Sequence, residues 1–168
     1  FKNTKGIIID IRNYPHAFVT FTLGSFFVSD ATPFVKFAQM NINNPGEFKL
    51  KNAVEIPNST EKYNGKVIVL VNEMSQSQSE YTAMAFRAGD NTTIIGSTTA
   101  GADGDVSYIH LPGGITTTIS GVGVYYPDGT ETQRIGIIPD IKIKPTIKGI
   151  IDGKDEVLEK AIETILKE

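Results

Sequence analysis

The sequence has no cysteine, no tryptophan and only two histidines, His16 and His110, among its 168 residues. The absence of cysteine excludes structural disulfides, thiolate catalysis and cysteine-based zinc sites. Chemistry that needs an imidazole must therefore use one of these two histidines or a group from outside this chain. The sequence also lacks an apolar run near the roughly 18 residues that would span a bilayer, so we expect no membrane insertion by this segment.

An excess of charge of one sign is missing as well. The chain has 16 basic and 19 acidic residues and a net charge of -3, and the basic residues are scattered. This distribution argues against a nucleic-acid partner and against a polybasic membrane anchor. The hydrophobic content of 40% is typical of a folded chain and excludes disorder. A length of 168 residues predicts a single domain over 1–168, and the first residue, Phe1, indicates a fragment of a longer chain.

Short apolar runs rich in β-branched residues predict the buried strands. Residues 6–11 and 67–71 are expected to be strands buried on both faces. A helix is predicted from about Ser77 to Ala88, with Gly89 as its C-terminal cap, followed by a strand over 93–96. This order predicts parallel strands joined by a right-handed crossover.

The other half of the chain predicts a mixture of short elements. Residues 12–64 are rich in aromatic side chains and prolines, which indicates mixed structure. Runs at 115–119 and 122–126, separated by glycine, predict a hairpin or a meander. Residues 141–144 alternate in polarity like an edge strand. Behind Asp155 as N-cap, an apolar stripe predicts a docked amphipathic C-terminal helix; its members are Val157, Leu158, Ala161, Ile162, Ile165 and Leu166.

Three hydroxyl side chains, Ser75, Ser77 and Ser79, follow the second predicted strand where it turns into a helix. The N-terminus of a helix offers unpaired amides and a positive dipole end, which would stabilise an oxyanion beside a nucleophilic hydroxyl. The spacing Ser77-x-x-Glu80 is also that of a capping box, in which the serine only caps the helix. Spacing alone favours the capping role and does not decide between the two.

Four segments stand in a recognisable order: GIIIDIRN at 6–13, SQSQSE at 75–80, IGSTTAG at 95–101 and GIIPDI at 136–141. Together they resemble the S41 family of serine peptidases, which includes the C-terminal processing proteases and the tricorn-type proteases. The likeness is greatest to a branch common in Bacteroidetes-type bacteria. It implies an α/β fold of the ClpP/crotonase-like β-β-α spiral type, with a mixed sheet and the C-terminal amphipathic helix. It also implies an S41-type catalytic domain, a serine endopeptidase that acts on extended or unstructured polypeptides.

The resemblance further implies roles for individual residues. Ser77 takes the place of the nucleophile, and the backbone amide of Gln78 would help form the oxyanion hole; Ser75 would then share the capping role. Ala102 stands where the processing proteases have a lysine base. Gln133 stands where tricorn-type members have a glutamate, and Glu131 lies two residues earlier. We therefore expect a segment upstream of this chain to supply the general base.

The remaining polar groups are expected to be structural. His16 follows Tyr14-Pro15 in a loop, a typical solvated position, although it would emerge near Ser77 if the first two strands are neighbours. His110 is expected on the polar face of a strand. Residues 103–105 predict a plain turn rather than a calcium loop, because the other acidic ligands are missing. Asp10 and Arg12 predict an ion pair.

A second function remains open, that of a catalytically inactive module that binds an apolar ligand or a peptide. The aromatic side chains between residues 18 and 37 would then line the pocket. For the peptidase, the expected partners are a polypeptide substrate and an upstream domain of the same chain, and no cofactor or metal is expected. Family analogy implies a periplasmic or extracytoplasmic location.

Overall fold

The computed structural model describes residues 2–41 and 43–167, which form strands and helices in mixed order. The strands are β1 (Gly6–Asp10), β2 (Thr32–Met40), β3 (Phe48–Leu50), β4 (Val54–Ile56), β5 (Lys66–Val71), β6 (Thr92–Gly96), β7 (Val106–Leu111), β8 (Ile115–Ser120), β9 (Val122–Tyr125) and β10 (Ile141–Lys142). The helices are α1 (Thr20–Gly24), α2 (Gln78–Arg87), α3 (Ile147–Ile151) and α4 (Glu156–Leu166). The fold is therefore α/β, with both parallel and antiparallel sheets.

A parallel sheet with the strand order β1-β5-β6-β10 forms the centre of the molecule. The predicted parallel pairing of β5 with β6 is confirmed. β5 has a strand on each side, and its residues from Val67 to Val71 are buried. β1 lies at the edge of this sheet and is only partly buried, so the prediction that it is buried on both faces is wrong.

The two faces of β5 belong to two different clusters of apolar side chains, because successive residues of a strand point to opposite faces. Val67, Val69 and Val71 share one cluster with the buried face of α2. Ile68 and Leu70 share the other cluster with α4. A strand covered by helices on both faces explains the continuous apolar run in the sequence.

α4 begins at its predicted cap, where the Asp155 carboxylate accepts a hydrogen bond from the Leu158 amide at 3.0 Å. Val157 and Ala161 are buried against the sheet, as predicted. Ile162 and Leu166, however, are 45% and 64% exposed, so the docked face is narrower than the predicted stripe. Val157, Leu158, Ala161 and Ile165 pack against the sheet, whereas Ile162 and Leu166 lie outside this contact.

The antiparallel strands pair differently from the predicted hairpin or meander. β8 pairs with β7 in an exposed hairpin, whereas β9 pairs with β2. The two strands on either side of Gly121 thus belong to different sheets. β10 lies at the sheet edge, as expected, but has only two residues. No helix in the described residues has the length and apolar character needed to cross a bilayer.

The helix α2 ends as predicted, but for a different reason. Its C-cap, Ala88, has a right-handed conformation, and Gly89 does not have the positive φ of a capping glycine. A side chain at Gly89 would instead collide with its surroundings, since a Cβ there would lie 2.5 Å from the Thr92 hydroxyl and 2.9 Å from the Cβ of Phe27. Gly89 is therefore needed because a larger side chain would not fit there. The prediction that it acts as a left-handed C-terminal cap is wrong.

Candidate active site

Ser77 lies between the buried strand β5 and the helix α2, at the N-cap position of the helix. Its side chain is half-buried, and its backbone has φ 50 and ψ -118. A positive φ is uncommon for a residue with a Cβ, and such a conformation costs about 1–3 kcal/mol. The turn therefore holds Ser77 in a strained conformation, of the kind that concentrates at functional sites.

The two neighbouring serines have structural partners. The hydroxyls of Ser75 and Ser79 donate to the same carbonyl oxygen, that of Ile11, at 2.9 and 2.7 Å. The Ser75 hydroxyl also accepts from the Asn72 amide at 3.1 Å. Ser75 therefore ties the end of β5 to the loop after β1. The expectation that it shares the capping of α2 is wrong, because its hydroxyl is already engaged.

Ser77 and Glu80 have the paired contacts of the predicted capping box. The Ser77 amide donates to the Glu80 carboxylate at 3.2 Å. The second contact of the box runs the other way, since the Ser77 hydroxyl is directed at the backbone amide of Glu80. Glu80 thus fixes the backbone of Ser77 and leaves its hydroxyl less constrained than those of Ser75 and Ser79.

Glu80 also holds the loop that follows β6. Its side chain is 1% exposed, and its carboxylate accepts hydrogen bonds from the Thr99 hydroxyl, the Gly101 amide at 2.7 Å and the Ala102 amide at 2.8 Å. The amides of Ser77 and Ala102 bind the same oxygen, Oε2. Ala102, at the position of the lysine base in the processing proteases, is therefore a close neighbour of Ser77.

The GIIPDI segment is attached to the same loop. The Thr99 hydroxyl accepts a hydrogen bond from the Ile137 amide at 2.6 Å. Gly136 has φ 80, and a Cβ there would lie 2.5 Å from the Thr99 carbonyl oxygen. Only glycine allows this close approach together with that backbone conformation. Two motifs that are far apart in sequence therefore meet at Thr99 and, through it, at Glu80.

Gln133 lies between this loop and β9. Its side-chain amide donates to the carbonyl oxygens of Asp103 at 2.8 Å and Val122 at 2.9 Å. Glu131 forms an isolated bridge with Tyr125 and an ion pair with Arg134 at 3.6 Å. Gln133 is thus fixed between the loop and β9, with both of its donor contacts directed to backbone.

The loop after β1 approaches the start of α2 from the other side. The Gln78 side chain donates to the Ala17 carbonyl at 3.0 Å. The Gln78 backbone amide belongs to the first helical residue of α2, a position at which helix geometry provides no intrahelical acceptor. The predicted ion pair of Asp10 with Arg12 is confirmed, and Arg12 also contacts Asp155. The hydrogen bond from Arg12 lowers the pKa of the Asp155 carboxyl below its ordinary value.

Among the described residues, neither histidine forms a hydrogen bond with Ser77. His16 is exposed, as predicted, in the loop that Gln78 holds beside the start of α2. His110 lies in the exposed β7–β8 hairpin, where its Nδ1 is 3.0 Å from the Thr116 hydroxyl.

Sequence reasoning missed one group near the site, the carboxyl of Asp103. The predicted turn is present, with φ 114 at Gly104, whose amide donates to Asp103 Oδ1 at 2.7 Å. Asp103 is nevertheless 6% exposed, and its Oδ2 has no hydrogen-bond partner in the described part of the chain. Burial raises the pKa of Asp103 to about 7, the Gly104 amide opposes this rise and the charge of Glu80 adds to it. An Asp-Gly-Asp sequence signals a turn but does not signal burial.

Comparison with known proteins identifies the family. Residues 1–143 match Peptidase family S41, and the chain belongs to this family. A segment of 92 residues is 34% identical to a carboxy-terminal-processing protease from Bartonella bacilliformis; it covers 55% of this chain and 21% of that protein.

Solved structures agree with this assignment. A candidate peptidase from Parabacteroides merdae is 27% identical, with a TM-score of 0.89 over 99% of this chain and 53% of that one. The photosystem II D1 C-terminal processing protease, at 20% identity, has a TM-score of 0.64 over 85% of this chain and 36% of that one, which shows a shared fold. The chain thus spans about half of the Parabacteroides merdae protein, and its match spans about a fifth of the Bartonella protein.

Proposed function

We propose that this chain is the catalytic domain of a serine endopeptidase and that Ser77 is its nucleophile. The observation that carries the proposal is the difference between three neighbouring hydroxyls. Ser75 and Ser79 are bound to the Ile11 carbonyl, whereas Ser77 has a strained backbone at a helix N-terminus and no such bond. A serine that served only as a cap would need no strained conformation.

The chemistry follows from this position. The Ser77 hydroxyl attacks the carbonyl carbon of an extended polypeptide, and a base takes its proton. The Gln78 amide and the positive end of α2 stabilise the oxyanion that forms. The protonated base then gives its proton to the leaving amine, and water hydrolyses the acyl-enzyme by the same steps. The base belongs to an upstream segment of the complete protein, since Ala102 and Gln133 offer none.

The finer assignments belong to this proposal as well. The parallel sheet beside α2 and the match to the Parabacteroides merdae structure support a ClpP/crotonase-like spiral and a Bacteroidetes-type branch of the family. The complete protein would act on unstructured polypeptides in the periplasm or at another extracytoplasmic site. Cell fractionation with an antibody to this chain tests the location.

Labelling with a fluorophosphonate tests the nucleophile, because this probe reacts with activated serines. In the complete protein we expect Ser77→Ala to abolish labelling and peptide hydrolysis. Ser79→Ala is the matched control: it removes a hydroxyl two residues away and should retain labelling, with lower stability. Labelling that persists in Ser77→Ala and disappears in Ser79→Ala would overturn the assignment.

An apolar cavity supports the second candidate, a module that binds an apolar ligand. The cavity has a volume of about 510 Å³, and its lining includes Ile7, Ile9, Leu23, Phe26, Phe27 and Tyr63. The other aromatic side chains between residues 18 and 37 do not line this cavity. Phe18, Phe34 and Phe37 contact the ring of Tyr81, and Phe21 contacts Phe18. Complete absence of fluorophosphonate labelling in the folded parent protein would favour this candidate over the peptidase.

A further inference from the structure

A second cavity lies beside the loop after β6, which Glu80 joins to the candidate nucleophile. It has a volume of about 350 Å³, and its lining includes Ala102, Asp103, Tyr125, Glu131, Gln133 and Arg134. Its distinctive feature is Asp103, which is more than nine-tenths buried and whose Oδ2 has no partner among the described residues. A buried carboxylate oxygen without a donor is costly, and such a group requires an explanation.

The cavity is connected to Ser77 by a short chain of contacts. The amides of Ser77 and Ala102 bind one oxygen of Glu80, at 3.2 and 2.8 Å, so the two nitrogens can be no farther apart than the sum of these distances. Ala102 lines the cavity, and Asp103 is the next residue. A group inside the cavity would thus lie close to the candidate nucleophile.

The charges around Asp103 favour a positively charged occupant. Glu80 from α2 and Glu131 from the loop after β9 are acidic. Arg134 is basic, but it pairs with Glu131 at 3.6 Å and its side chain is 85% exposed, so it does not neutralise Asp103. The tyrosines add no positive charge: burial, followed by the charge of Asp103, raises the pKa of Tyr81 to about 12, and Tyr125 lines the wall. No cluster of three or more metal-ligating side chains occurs in residues 2–41 and 43–167, so an organic cation fits better than a metal ion.

We propose that this cavity binds a basic nitrogen group, an imidazolium or an ammonium, and that the carboxyl group of Asp103 is its anionic partner. The proposal rests on the proposed role of Ser77. The cation has two possible sources with the same chemistry. It is either the general base that the complete protein brings to Ser77, with Asp103 as its positioning residue, or a lysine side chain of the substrate.

The experiment compares Asp103→Asn with Asp105→Asn in the complete protein. Asparagine at 103 keeps the shape of the side chain and an oxygen for the Gly104 amide, while it removes the charge and replaces Oδ2 with an NH2 group. The matched control, Asp105, is an exposed carboxylate two residues away that accepts from the Val106 amide. Two quantities are measured for each variant: the fluorophosphonate labelling rate from pH 5 to 9, and kcat/KM for paired peptides with lysine or norleucine at each position near the scissile bond.

If the cation is the base, Asp103→Asn lowers the plateau labelling rate at least tenfold and moves the acid limb of the profile to lower pH, because a nearby carboxylate stabilises the protonated base. If the cation belongs to the substrate, the labelling profile is unchanged and the preference for lysine over norleucine falls at least tenfold. Asp105→Asn changes neither quantity. A folded Asp103→Asn variant with the parental profile and the parental preference overturns the proposal. Labelling of Ser77 in that variant would leave the proposed function intact.

Discussion

Ser77 and Asp103 are both strained, but in different ways. The strain at Ser77 is in its backbone, with φ 50. The unfavourable energy at Asp103 is electrostatic, because its carboxyl is buried and one of the two oxygens has no hydrogen-bond partner in the described residues. The position of Ser77 could be predicted from sequence because it depends on a local strand-to-helix turn. The burial of Asp103 could not, because it depends on β9 and Gln133, which are distant in sequence.

The raised pKa of Asp103 predicts how the stability of the 168-residue chain depends on pH. Between about pH 4 and pH 7 the folded state holds a proton on Asp103 that the unfolded state has lost, so the free energy of unfolding contributed by this group falls as pH rises. A shift of about three pKa units corresponds to at most about 4 kcal/mol. Asp103→Asn should therefore gain stability relative to the parent at pH 8 and not at pH 4.

Urea unfolding at the two pH values measures this effect. The difference between parent and variant isolates Asp103 from the carboxyls with lowered pKa, such as Asp155, which act in the opposite direction. Asp105→Asn should show no such difference. Equal differences between the parent and Asp103→Asn at pH 4 and pH 8 would contradict the prediction.

At the scale of elements, the fold was predictable where pairing follows the order of the chain. β5, α2 and β6 are consecutive, and the length of the apolar run and the turn residues indicate each of them. β2 pairs instead with β3, β4 and the distant β9, and the sequence of β2 does not indicate these partners. This is why residues 12–64 could be described only as mixed. Three hydrogen bonds from Thr99, Gly101 and Ala102 to Glu80 tie α2 to the loop after β6.

Glu80→Gln should therefore destabilise the protein although the shape of the side chain is kept. The amide has one acceptor oxygen, whereas the carboxylate accepts from Thr99, Gly101, Ala102 and Ser77. Loss of these charge-assisted bonds and burial of a misplaced donor should cost about 2–4 kcal/mol. We also expect slower fluorophosphonate labelling, because the backbone of Ser77 loses its anchor.

The matched control is Glu73→Gln, an exposed glutamate whose carboxylate accepts from the Ser97 hydroxyl at 2.5 Å. It should change the free energy of unfolding by less than about 1 kcal/mol. The urea unfolding midpoints of both variants measure this difference in stability. A Glu80→Gln variant as stable as Glu73→Gln would show that the loop is held by other contacts.

At the scale of the whole molecule, the β7–β8 hairpin is one of the places with exposed apolar side chains. Ile109, Leu111, Ile115 and Ile119 lie on one face of it and are between 40% and 61% exposed. A two-stranded hairpin on its own is only marginally stable in water. The chain also spans about half of the Parabacteroides merdae relative.

The last prediction is that the 168-residue chain alone is a poor peptidase. Ala102 and Gln133 supply no base, and neither histidine forms a hydrogen bond with Ser77 among the described residues. Proton transfer by a positioned base contributes about 10²–10⁴-fold. The isolated chain should fold, since the buried β5 is covered on both faces, and should hydrolyse peptides near background. The complete protein should exceed it by at least about 100-fold. Rapid turnover by the isolated chain, abolished by His16→Ala or His110→Ala, would place the base within these residues and refute the proposed external base.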